Sequence, residues 1–159
     1  MDPAVAELAT TVVGAFRSTP LPPRRFARET DMEAVLLPAM KRALAPSGIE
    51  LVHSGVRRVP CFIPDETREP DGEARRGRLA VAIELKLLRG ERADGGEFHR
   101  GFGQCFAYVA LPLFSAALLL VVHQCAERSL SVPAEMLGLR TEPFRSVIIA
   151  DRWHQAPPQ

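Results

Sequence analysis

The chain has 159 residues, 47% hydrophobic and 25% charged, which suits one domain around a single buried core. Its formal net charge of +1 excludes a global field that draws it to nucleic acid, so any such attraction must come from local patches. Cys61, Cys105 and Cys125 form no CxxC pair and leave an odd thiol, which argues against a disulfide framework or a structural zinc site and points to a reducing, cytoplasmic setting.

In chain order, the start Met-Asp-Pro lacks the basic-then-apolar order of a signal peptide. Residues 3–18 read as a helix, with Asp2 to cap it, Pro3 in its first turn and a stripe of Val5, Leu8, Val12 and Phe16. A proline-rich connection leads to a second helix opening at Thr30, where Thr30 and Glu33 match a capping box. That helix carries Pro38 inside it and ends at Pro46-Ser47-Gly48. Strands are expected over 49–59 and, more weakly, 61–69, followed by a polar turn over 71–77. Residues 79–87 form the clearest strand, apolar until Glu84 and Lys86. A helix over about 97–111, a buried strand over 116–122, a short helix near 133–137 and a final strand over 146–150 complete the pattern.

The longest apolar stretch, 109–122, is broken by Pro112 and Ser115 and falls short of the roughly 20 residues that span a bilayer, so no membrane partner is expected. The order α-α-β-β-β-α-β-α-β reads as an α/β fold with a mixed central β-sheet flanked by helices. It fills one domain over 1–150, and 151–159 reads as a mobile tail.

In a strand, residues two apart share a face, so Glu84 and Lys86 project side by side from an otherwise apolar element. Burying such a pair is costly unless the charges are paired or given chemical work. Phosphodiester hydrolysis is such work: a carboxylate holds a hard divalent cation and an ammonium stabilises developing charge. The alternative is an ion pair near a strand end. A second acidic ligand is needed. Asp65, after Pro64, is preferred, because a hairpin folded between residues 74 and 75 sets it opposite Glu84. Asp71, after Pro70, is the rival, with a hairpin centred at Gly77-Arg78 and short arms. On the third helix Phe98, Phe102, Cys105, Phe106 and Val109 form the expected core stripe. Gln104 and Tyr108, four apart, share another face.

Pro64-Asp65, then Glu84-Leu85-Lys86 ending an apolar strand, then Gln104-x-x-x-Tyr108 on the next helix resembles the PD-(D/E)XK nuclease superfamily, in particular its RecB-like and Holliday-junction-resolvase-like branches. The resemblance covers roughly residues 30–125. It implies a restriction-endonuclease-like fold and a Mg²⁺- or Mn²⁺-dependent nuclease that hydrolyses DNA phosphodiester bonds. Asp65 and Glu84 would ligate the metal with the Leu85 carbonyl, Lys86 would be the catalytic lysine, and Gln104 with Tyr108 the accessory motif. Glu33 matches an acidic residue that many members carry on the helix before the sheet. One departure is the polar Glu66-Thr67-Arg68-Glu69-Pro70 after the aspartate, where the family has an apolar strand. It leaves a second reading open: a catalytically inactive nuclease-like domain that binds nucleic acid or protein. Arg75, Arg76, Arg78, Arg89, Arg92 and Arg100 are candidate phosphate contacts. The short chain leaves little room to read bases, which points to a homodimer or a protein partner supplying specificity.

Overall fold

The computed structural model describes residues 1–60, 67–90, 93–124 and 146–154. Helix α1 (Pro3–Ser18) opens where the Asp2 carboxylate accepts from the Ala4 N–H at 2.8 Å, with proline in the first turn as expected. Helix α2 (Glu29–Leu44) is capped at Arg28, two residues before the Thr30 of the expected capping box. The Asp31 carboxylate accepts from the Arg28 N–H at 3.0 Å and pairs with its guanidinium at 2.9 Å. Glu33 is therefore free of the capping role. A turn of 3₁₀ helix (Ala45–Ser47) and Gly48, with φ of 67°, end the helix where the sequence places its stop.

The expected strand over 49–59 resolves into β1 (Glu50–Val52) and β2 (Val59–Pro60). β2 pairs with β3 (Thr67–Arg68) as a small separate ribbon. The stretch expected to be a polar turn is strand β4 (Gly72–Arg76), and the turn itself falls at Gly77-Arg78. The reason lies in its charges. Glu73 is fully buried, yet its carboxylate accepts from Arg57 at 2.7 Å and from Arg75 at 2.8 and 2.9 Å, so the strand buries an acid that is neutralised twice over. Gly77 reverses the chain with φ of 62°, a conformation that glycine adopts without steric cost. β4 then pairs with β5 (Leu79–Leu88) from Arg76↔Leu79 to Gly72↔Ile83.

After β5, helix α3 (Asp94–Ala110) returns the chain to β6 (Ala116–His123), which lies parallel to β5. β7 (Ser146–Trp153) lies parallel to β6. The result is an α/β domain with a mixed five-stranded sheet in the order β1-β4-β5-β6-β7, antiparallel on one side of β5 and parallel on the other. Odd-numbered β5 residues Val81, Ile83, Leu85 and Leu87 join a core with α1 and α2. Ala80, Ala82 and Leu88 join a second core with α3. The strand alternation thus sends Glu84 and Lys86 to the α3 face.

Two further expectations change. The tail was expected to be mobile from residue 151, but Asp151, Arg152 and Trp153 extend β7 opposite Val121, Val122 and His123. His154 is buried against Gln124 and the Pro22 carbonyl, and Trp153 stacks on His123. The short helix near 133–137 lies outside the described residues. Among those described, no helix is long and apolar enough to cross a membrane.

Candidate active site

The site begins where β4 stops. The carbonyls of Ala80 and Leu88 accept from Ser115 and Gln124, the residues flanking β6, so even-numbered positions of β5 turn their backbone groups toward β6. Odd-numbered positions face β4, which ends at Gly72↔Ile83. Beyond that point the N–H groups of Leu85 and Leu87 have no ladder partner, and two carboxylates take them: Asp71 Oδ2 accepts from Leu85 N at 2.7 Å and Glu29 Oε2 from Leu87 N at 3.2 Å. The Leu85 carbonyl leaves the strand on that same open edge, because a residue's N–H and C=O point to one side. Extending the β4–β5 register by one residue sets Asp71 opposite Glu84.

Glu84 and Lys86 are almost wholly enclosed, at 1% and 4% exposure. Lys86 Nζ lies 2.9 Å from Glu84 Oε1 and 2.9 Å from Glu29 Oε1, and the Tyr108 hydroxyl donates to Glu84 Oε2 at 2.8 Å. The lysine stem lies against α3 at Gly101, where a Cβ would come within 2.8 Å of Lys86 Cγ and 3.0 Å of its Cε. That close approach explains the glycine. Opposite, Glu33 projects half-buried from the second turn of α2.

The charges of the cluster act on one another. Burial, then the neighbouring Glu84, raises the Asp71 carboxyl to about 7. Burial, then Asp71 and Glu29, raises Glu33 to about 7. Burial also raises Glu84, against the pull of Lys86 and Tyr108. On Lys86 burial acts downward, but Glu84 and Glu29 together outweigh it and hold the amine protonated. Tyr108 is raised by burial and by Glu84, so it stays a donor. Several acids share little solvent and one buried ammonium. A cation among them is electrostatically favoured.

The expected residues fare differently. Glu84, Lys86 and Tyr108 meet. Asp65 lies outside the described residues, and the position opposite Glu84 that a hairpin folded between residues 74 and 75 would give it belongs to Asp71. Gly77-Arg78 is the turn, and the arms are five residues each, long enough to carry the rival aspartate into place. Tyr108 does not stand apart from the core stripe. It is fully buried, while Phe102 and Phe106 are only partly so. Gln104 is half-buried, with an Oε1 that has no hydrogen-bond partner among the described residues. It lies on the face of α3 that also carries Gly101 and Tyr108, three residues after one and four before the other. Glu29 was not singled out. Its sequence context marks only an acid in a helix's first turn, and its bonds to Lys86 and Leu87 arise in the tertiary structure.

The candidate arginines mostly lie elsewhere. Arg75 and Arg76 pair with Glu73 and Glu7 beside the Gly77-Arg78 turn, at the other end of β5. Arg100 pairs with Glu97, and Arg92 lies outside the described residues. Arg89 stands at the site end, its guanidinium donating to the Ala27 carbonyl and its N–H to Asp94 at 3.1 Å. A cavity of about 270 Å³ opens there between Glu29, Leu87, Arg89, Asp94 and Glu97.

No family model, no curated protein and no solved structure matches this chain. The site must be read from its own chemistry. Hard divalent cations take oxygen ligands, and the open edge of β5 offers Asp71, Glu84 and the Leu85 carbonyl, with Glu33 across from them. Among the described residues, no three His, Cys, Asp or Glu side chains are already gathered to hold an ion by themselves. The donor set that fits is two carboxylates with a main-chain oxygen.

Proposed function

We propose that this protein is a PD-(D/E)XK-type nuclease with a restriction-endonuclease-like fold, hydrolysing DNA phosphodiester bonds with Mg²⁺ or Mn²⁺. Asp71 takes the place that the sequence pattern gave to Asp65. The observation that carries this reading is the convergence of Asp71, Glu84 and Lys86 at the open edge of β5, with the Asp71 carboxylate bonded to Leu85 N. A bare ion pair would explain Glu84 and Lys86. It would not explain a second, half-buried acid placed beside them at electrostatic cost.

Asp71, Glu84 and the Leu85 carbonyl would hold the ion, and Glu33, which feels the charge of Asp71, adds a further acid to the cluster. When bound, the ion supplies Lewis acidity toward a phosphate oxygen and acidifies a water. Lys86, held cationic by Glu84 and Glu29, is no general base and stabilises negative charge that develops on the phosphate. Tyr108 fixes the orientation of the Glu84 carboxylate, and Glu29 fixes the lysine. In the metal-free protein burial and the charges of Asp71 and Glu29 raise Glu33 to about 7, and a bound cation would favour its ionised form.

The test is cleavage of linear and single-stranded DNA in Mg²⁺ by wild type and Lys86→Ala. The expected loss is on the order of 100-fold or more with the fold retained by circular dichroism. Equal cutting by the variant removes Lys86 from the mechanism. A second reading, an inactive nuclease-like binding module, has one observation in its favour: both Glu84 oxygens already have partners, Lys86 and Tyr108. Under that reading Mn²⁺ does not bind at Asp71 and Glu84. A homodimer or protein partner supplying base specificity belongs to the proposal.

A further inference from the structure

We propose that the cavity between the α1–α2 connection and α2 binds backbone phosphate of the DNA strand that is cut at the Asp71–Glu84–Lys86 site, through Arg24 and Arg25. This inference rests on the nuclease reading above and names where its substrate is gripped. The cavity holds about 500 Å³ and is walled by Arg24, Arg25, Phe26, Asp31 and Val35 among others. The Arg25 Nε is buried and has no acceptor among the described residues. No protein acceptor ties down this guanidinium among the described residues, so the part of Arg25 that lines the cavity is available to an anion.

The charge balance has the right sign. Among the described residues of the cavity wall the one acid, Asp31, is already engaged by Arg28, through both its guanidinium and its backbone N–H. Two further guanidinium groups are left to face the cavity. Planar guanidinium forks match phosphate oxygens in bidentate geometry better than they match a single point charge. Val35, 38% exposed, adds an apolar edge against which a sugar or base can lie. Phe26 is buried and tilted against His154, which itself bonds Gln124 and the Pro22 carbonyl, so the floor of the cavity is held by the core.

Proximity favours a strand over a free phosphate compound. Ala27, on the cavity wall, accepts from Arg89 on the far side of the segment, and Glu29 two residues later holds Lys86. Four residues from Arg25 to Glu29 span at most about 14 Å. A nucleic-acid strand advances about 3.4 Å per phosphate along a duplex axis, so that separation corresponds to at most about four nucleotides.

The experiment uses the full chain in EDTA, without the divalent cation that cutting would require, and follows the anisotropy of a short fluorescein-labelled DNA as salt is raised. For Arg24→Gln/Arg25→Gln, affinity is expected to fall on the order of tenfold, and the log–log salt slope to become shallower by about 1.4 for a single strand. In Mg²⁺ the same variant should raise KM with kcat unchanged. If the double variant misfolds, Arg25→Lys, which keeps the charge but not the fork, should give an intermediate loss. Unchanged affinity and slope in a folded variant overturn the inference, as does inorganic pyrophosphate displacing the DNA from wild type while the arginine variant resists it no differently. Loss of binding in the arginine variant, with a wild type that cuts nothing, keeps the phosphate pocket and removes the nuclease.

Discussion

An ionised carboxylate enclosed to 1% exposure costs several kcal/mol in lost hydration unless its oxygens are satisfied. Glu84 is satisfied twice, by an ammonium and by a phenol, and the phenol is the simpler bond to remove. Tyr108→Phe leaves the ring in place and deletes the donor to Glu84 at 2.8 Å, along with its longer contact to the Glu69 carbonyl at 3.3 Å. We expect a stability loss of about 1.5–3 kcal/mol by urea denaturation, the range for a hydrogen bond to a charged acceptor. A loss near zero would mean that the hydroxyl does not hold the carboxylate. Tyr108 also shows where residue-level reading ended. Helical periodicity put it beside the apolar stripe because a phenol reads as a boundary group. Its burial became favourable only once Glu84, 24 residues away, supplied an acceptor.

Among the elements, β5 and α3 fit against each other through a missing side chain. Gly101 admits Lys86 and the Leu119 side chain, each within 2.8 Å of the Cβ that glycine lacks, whereas nothing lies within 4 Å of a Cβ at Gly103. Gly101→Ala is expected to cost about 1–3 kcal/mol by overpacking and to slow cleavage by displacing Lys86. Gly103→Ala, on the same helix, should stabilise by up to about 1 kcal/mol through helix propensity. Thermal and urea unfolding of the two variants separate the effects, and equal shifts would mean that α3 does not pack on Lys86. The elements that sequence revealed were those with local signals. Asp2 and Pro3 start α1, Gly48 stops α2, and unbroken apolar residues mark β5 and β6. β4 was hidden because Gly-Glu-Ala-Arg-Arg carries a turn's composition, and only Arg57, from outside the hairpin, completes the pairing that lets Glu73 be buried. That misreading also decided the aspartate, since a turn at Gly77-Arg78 puts Asp71, not a residue six earlier, across from Glu84.

For the molecule as a whole, the acidic cluster sets the pH dependence of folding. Asp71 and Glu33 have carboxyls raised to about 7 in the folded protein, well above their ordinary values. The folded state therefore holds more protons than the unfolded chain between about pH 4 and pH 7. Metal-free protein should be most stable near the acidic end of that window and lose stability as pH rises toward 7. Melting temperature in EDTA, compared with that of Asp71→Asn, checks this: the variant's profile should be flatter. A divalent cation should reverse the trend by favouring the ionised acids.

The most direct test of the central claim is calorimetric titration of Mn²⁺ into wild type, Asp71→Asn and Asp65→Asn at neutral pH. Wild type and Asp65→Asn are expected to bind with similar affinity and to release protons, while Asp71→Asn binds at least about tenfold more weakly. Mn²⁺ binding that survives in Asp71→Asn, or is absent from the wild type, would contradict a metal site at the open edge of β5.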